Sequence, residues 1–162
     1  VVIDGKASLS IKSLTHTAAA VTKVLGLEPT ATAELGDPIG RVRPGSDGKP
    51  SMRERTHSIW VLDSPETLSS EESDFSSVHG LIETLQPKRK ALDKLREHYF
   101  IEIAWNGYSD RMQAGFLIPS DLLAAMGALG IDFHGQVFFK QAGSGSTGPE
   151  AESDQVEAAL EA

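Results

Sequence analysis

The chain has 162 residues, a formal net charge of −8 and no cysteine. That length suits one domain with a modest core, burying roughly 68–70% of the surface its unfolded chain would expose, so folding needs neither disulfides nor a structural metal. The lack of cysteine excludes a disulfide framework, a thiolate zinc site and a thiol nucleophile.

No apolar run reaches the roughly 18 residues of a spanning helix. No charged n-region leads into an apolar stretch, so a cytoplasmic protein without a membrane role is expected. The acidity is uneven. The tail from Gln141 to Ala162 carries Glu150, Glu152, Asp154, Glu157 and Glu161 with no Lys or Arg, which leaves the rest of the chain at −3. An acidic chain is repelled by nucleic acid, which disfavours nucleic acid as a partner.

Val2 to Ile11 alternates as a strand, with Ala7, Leu9 and Ile11 on one face and Ser8, Ser10 and Lys12 on the other. A helix follows, capped by Ser13 or Thr15, with Ala18, Val21, Val24 and Leu25 as its buried stripe. Gly26 stops it and Pro29 prevents it resuming. Thr30 to Gly36 reads as a short strand. Gly36 to Ser51, broken by Pro38, Pro44 and Pro50, reads as an exposed loop. Ser58 to Leu62 is apolar on both sides and suits a central strand. Ser64 to Ser73 is acidic and Ser-rich, a loop that ends in the helix caps Ser73 or Asp74.

Phe75, Val78, Leu81, Ile82 and Leu85 follow helical spacing up to Pro87. A second helical piece spans Lys88 to His98 with Leu92 and Leu95 on its apolar edge. Tyr99 to Trp105 is a strand. Asn106-Gly107 signals a hairpin whose partner strand is Ala114 to Ile118. Ser120 caps a helix with the stripe Leu122, Leu123, Met126 and Leu129, stopped by Gly130. Ile131 to Lys140 is the last strand. This order gives an α+β two-layer sandwich: a mostly antiparallel sheet, helices packed on one face, and ferredoxin-like elements. One domain over 1–140 and a disordered Gly/Ser-rich acidic tail over 141–162 are expected. The Leu-Gly-aliphatic-acid runs at Leu25 and Leu129 occupy equivalent places, either as a worn internal repeat or as two ordinary helix stops.

Leu9 and Ile11, Leu25-Gly26-Leu27-x-Pro29-Thr30, Gly36, Ile59-Trp60-x-Leu62-x-Ser64 and the helix ending in Leu85-x-Pro87 form a combined pattern. It resembles the bacterial family called domain of unknown function 4279, over residues 7 to 140. The resemblance implies a small bacterial cytosolic protein. It implies no reaction and no catalytic residues.

Several residue groups admit both a functional and a plainer reading. Arg41, Arg43, Lys49, Arg53 and Arg55 crowd one loop, diluted by Asp37, Asp47 and Glu54. Such a cluster either grips phosphate or carboxylate or keeps a loop solvated. It lacks the order of a nucleotide P-loop. His57 follows it and has Glu34 or Glu102 as a prospective acid–base partner. The five histidines show no metal-ligand spacing, and no metal or cofactor is implied.

Lys88, Arg89, Lys90, Lys94 and Arg96 form a second basic group, suited to an acidic partner, to RNA, or to a helix C-terminus. Trp60 reads as packing. Trp105 with Tyr108 reads as packing or as a recognition patch at the hairpin tip. Asp63, Glu66, Glu71, Glu72 and Asp74 lack the EF-hand order. With no nucleophile–base pair or phosphate loop in view, a non-enzymatic interaction protein with an unidentified protein partner is expected, an immunity-type protein being one form. The alternative is a small-molecule or anion-binding domain, a hydrolase being one form, built on the Arg41–Arg55 loop and His57.

Overall fold

A computed structural model of the chain describes residues 2–44, 50–65, 75–109 and 115–139. The acidic tail, the segment 66–74 with its carboxylates, and Lys49 lie outside the described residues, and the N-cap of the helix after that segment is Phe75 rather than the expected Ser73 or Asp74. The architecture is the expected α+β sandwich. Strand β1 (Val2–Ser13) pairs antiparallel with β5 (Ser58–Asp63) on one side and β6 (Phe100–Ser109) on the other. The short β2 (Ala31–Ala33) lies outside β5, and β7 (Asp132–Phe139) lies outside β6, giving the order β2-β5-β1-β6-β7.

Alternation sorts the sheet into two faces. Ala7, Leu9 and Ile11 of β1, Trp60 of β5, and Ile101, Ile103 and Trp105 of β6 share one face and are all buried. Helices α1 (Ala18–Leu25), α2 (Ser76–Leu85), α3 (Arg89–Leu95) and α4 (Ser120–Leu129) bury their own apolar residues in the same core. Val2 joins that face because a bulge between Asp4 and Ala7 shifts the parity of β1. On the opposite face Ile59 and Val61 are also buried, as expected for a strand apolar on both sides.

The C-terminal ends of the helices follow local chemistry, whereas none of the four α-helix N-caps makes a side-chain cap bond. Gly26 and Gly130 take left-handed φ values of 63° and 62° and close α1 and α4. Pro87 sits in a single 3₁₀ turn, Gln86–Lys88, that joins α2 to α3. Helix α1 takes its N-terminal cap from a distant residue. Its N-cap Thr17 makes no side-chain cap bond. Both carboxylate oxygens of Glu34 accept from the Ala18 N–H instead, at 2.9 and 3.2 Å. Ser13 accepts from the Thr15 and His16 N–H groups and so shapes the preceding turn. The cap of α1 comes from a residue 16 positions away, where no local pattern predicts it.

Other expectations are corrected. The stretch read as a loop from Gly36 to Ser51 holds a two-stranded ribbon, β3 (Pro38–Pro44) with β4 (Pro50–Glu54). Pro44 and Pro50 pair at its end, and a two-stranded ribbon has only edges, where proline costs no ladder bond. Asn106-Gly107 makes no hairpin. β6 runs straight through both residues, held by Asp4 of β1 and Val137 of β7 opposite Gly107. Gly107 is needed because a Cβ there would strike the Trp105 indole and Val2.

Residues 115–118 form no strand, and β6 pairs instead with β7, in parallel, after α4. Ser120 is the first residue of α4 rather than its cap; the N-cap is Pro119. Leu123 and Val24, assigned to buried stripes, are 50% and 40% exposed. Each lies at the margin of a stripe, where neighbouring helices decide burial.

Among the described residues no helix is long and apolar enough to cross a membrane. Trp60 is fully buried and donates its indole N–H to Thr22 at 2.9 Å, which ties β5 to α1.

Candidate functional site

The Arg-rich stretch and His57 meet only in part. Arg55 is buried at the junction of β4 and β5, its backbone bonded to Gly36 and Asp37. Arg53 is exposed and lies opposite Ile39 in the ribbon. Arg41 and Arg43 lie in β3, and the directions of their side chains fall outside the described residues.

His57 follows Arg55, with Nδ1 3.3 Å from the Thr56 hydroxyl and a buried Nε2 that has no partner among the described residues. The acid–base pairing with Glu34 or Glu102 does not form. Glu34 is engaged by the Ala18 N–H, and Glu102 by Lys12 at 3.1 Å. The charges felt by His57 are those of Lys12 and Arg55. Burial first, and then those two cations, hold its imidazole below the ordinary 6.5.

A pair of histidines lies at the same end of the sheet. His16 and His98 stack with centroids 4.4 Å apart and planes at 16°, and Tyr99 tilts against His16. Residues this distant in sequence carry no shared signal, so sequence reading could not join them. Tyr99 donates its hydroxyl to the Thr17 carbonyl at 2.9 Å. Burial and then the Glu34 carboxylate raise its phenol above 10.0. Among the described residues no group of three or more His, Asp or Glu is placed to hold a metal ion.

Trp105 is not at a tip. It is fully buried against Phe75, Phe116 and Phe133, and so belongs to the packing reading. Tyr108 is half-buried, with its ring 5.8 Å from that of Phe138.

The second basic group divides in two, with Arg89 exposed on α3 and in neither part. Arg96 serves structure: it donates to the carbonyls of Leu129 and Gly130 at the end of α4 and pairs with Asp93 at 2.8 Å. Lys88, Lys90 and Lys94 instead line an open groove of about 510 Å³ between α1 and α3. Lys23 of α1 joins them from the opposite wall. Val24, Leu25, Pro87 and Ala91 supply the apolar lining. Among the described residues none of these four lysines has a carboxylate within 4.0 Å. Lys23 was missed in the sequence because a lone lysine in a last helical turn is ordinary; only the packing of α1 on α3 brings it into the group.

A sequence profile of DUF4279, described as a domain of unknown function, matches residues 4–138. The chain belongs to the DUF4279 family. The matched span begins in β1, ends in β7 and includes both walls of the lysine groove, while the acidic tail lies beyond it. No curated protein and no solved structure matches the chain.

In this DUF4279 domain the depressed imidazole of His57 has a measurable consequence. A folded pKa below 6.5 means that the unfolded chain binds the proton more readily. The contribution of His57 to stability is therefore present above pH 6.5 and lost as pH falls through the folded pKa. Thermal unfolding of the wild type and a His57→Asn variant, compared between about pH 7.5 and about pH 5, should show a steeper acid loss in the wild type. Parallel curves would refute it.

Proposed function

We propose that this DUF4279 chain is a protein-interaction module that docks an acidic, partly apolar segment in the groove between α1 and α3. One observation carries the reading: Lys23, Lys88, Lys90 and Lys94 converge on an apolar-lined groove without an acidic partner among the described residues. A helix C-terminus favours a cation or two in its last turn. That accounts for Lys23 on α1, and for Lys88, whose ammonium lies 3.8 Å from where a Cβ on Gly26 would sit. Lys94 falls in the last turn of α3 and is accounted for in the same way. Lys90 is not, and the four charges repel one another across the groove. An incoming acidic segment would relieve that repulsion, and its apolar residues would cover Val24, which is 40% exposed. The binding mode is an amphipathic helix in a groove.

The test is fluorescence anisotropy with a fluorescein-labelled 12-residue peptide that sets Glu along one helical face and Leu and Ala along the other. Binding at low salt should weaken as salt screens the pairs. Lys88→Glu with Lys94→Glu should weaken it on the order of tenfold, since each exposed pair contributes about 0.2–1 kcal/mol and reversal adds repulsion. Equal binding by the folded double variant would sink the reading. The setting we propose is a bacterial cytosol, in line with the family resemblance, and an acidic-faced toxin is one partner of the required chemistry.

A second reading rests on His57. Its buried Nε2, without a partner among the described residues and beside Lys12 and Arg55, suits a small oxyanion. If phosphate binds there, its negative charge raises the His57 pKa. An NMR titration of the His57 ring in phosphate and in chloride at matched ionic strength tests this. Superimposable titrations would exclude it.

A further inference from the structure

We propose that the occupant of the lysine groove is the chain's own acidic tail, docked in cis between Glu150 and Glu161. The proposal rests on the reading of the groove as an acidic-segment site and names its resident ligand.

The tail complements the groove in charge. It carries five carboxylates and no Lys or Arg. Glu150, Asp154, Glu157 and Glu161 recur at i, i+4, i+7 and i+11, the spacing that aligns side chains along one face of a helix. Four carboxylates would then face four lysines. Val156 and Leu160, four apart, form an adjacent apolar pair for the lining between the lysines.

Length permits the contact. Phe139 ends β7, at the edge of the sheet. Eleven further residues lead to Glu150, and an extended chain of that length spans roughly 36–40 Å. A five-stranded sheet is only about 19–24 Å across. Tethering then favours the contact, because a short linker gives an effective concentration in the millimolar range. A site too weak to hold the free segment at micromolar concentration is occupied when the segment belongs to the same chain. An external acidic partner must displace the tail, so the tail sets the threshold for partner binding.

The chain lacks cysteine, so Ala162→Cys gives a single attachment point for a nitroxide label on the full-length protein. At low salt the label should broaden the amide signals of Lys23, Lys88, Ala91 and Lys94, unchanged on tenfold dilution. The broadening should vanish in a full-length variant carrying Glu150→Gln, Asp154→Asn, Glu157→Gln and Glu161→Gln. In that variant the Glu/Leu/Ala probe peptide should bind about tenfold more tightly than to the wild type, because the competing tail is gone.

Broadening that grows with concentration would assign the contact to a second copy and overturn the cis proposal. Absent broadening, or broadening that survives neutralisation, would overturn it too. If the probe peptide still binds the neutralised variant while the wild-type tail leaves the groove signals sharp, the groove reading stands and the tail proposal falls. If the peptide fails to bind the neutralised variant, both fall.

Discussion

Replacing Trp105 with alanine is expected to lower the stability of the fold by about 3–5 kcal/mol, the range for deleting a large aromatic side chain from a core. Trp105 is fully buried on β6. Its ring lies 4.7 Å from Phe75 at the start of α2, 5.2 Å from Phe116 before α4 and 6.4 Å from Phe133 on β7. One side chain therefore joins the N-cap of α2, the segment before α4 and strands β6 and β7. Removing it leaves a cavity lined by these three rings. Domains of this size are stable by only about 5–15 kcal/mol, so the loss is a large fraction of the total. Urea unfolding followed by far-UV circular dichroism measures it. Tyr108→Ala, at a half-buried position on the opposite face, is the control and should cost far less. A shift below about 1 kcal/mol for Trp105→Ala would contradict the packing described.

Gly130→Val is expected to cost about 2–3 kcal/mol, from two separate sources. The first is conformational. Gly130 has φ 62° and ψ 42°, which a β-branched residue strongly resists. The Gly130 N–H bonds the Gly127 carbonyl at 3.0 Å and the Ile131 N–H bonds that of Met126 at 3.1 Å, the paired bonds of a Schellman cap. The second source is steric. A Cβ at this position would run into the Arg96 guanidinium, which satisfies the last carbonyls of α4.

Gly36→Ala isolates the first source, because Gly36 has φ 87° and nothing within 4 Å of a would-be Cβ. It should cost about 1–2 kcal/mol. Arg96→Ala isolates the second. Combining Arg96→Ala with Gly130→Val should cost less than the two separately, since the displaced guanidinium is already absent. Strict additivity would show that Arg96 does not act at this cap.

The elements that were legible share one property: their cause lies within a few residues. The alternation of Ala7, Leu9 and Ile11, the helical spacing from Phe75 to Leu85, and the stops at Gly26, Pro87 and Gly130 are all local patterns, and the structure realises each of them. The misread elements have distant causes. Pro38, Pro44 and Pro50 are tolerated because β3 and β4 meet only each other. Asn106-Gly107 stays extended because β1 and β7 hold it from both sides, and backbone pairing on two edges outweighs a two-residue turn preference. At the candidate sites, residue types were legible and their grouping was not. Arg96 and Lys94 look alike in sequence, yet one closes α4 and the other faces a groove.

By itself the sequence determined the α+β class, the family, the helix stops, the central apolar strand and the segregation of acidic charge into the tail, because periodicity, composition and capping are encoded by neighbours along the chain. Only the tertiary structure decided that β6 pairs in parallel with β7, that Glu34 caps α1, that Trp105 is core, and that Lys23 joins Lys88, Lys90 and Lys94. Each of these depends on which distant surfaces bury their apolar area against one another. That choice is made by the packing of the whole core, which no local window of residues contains.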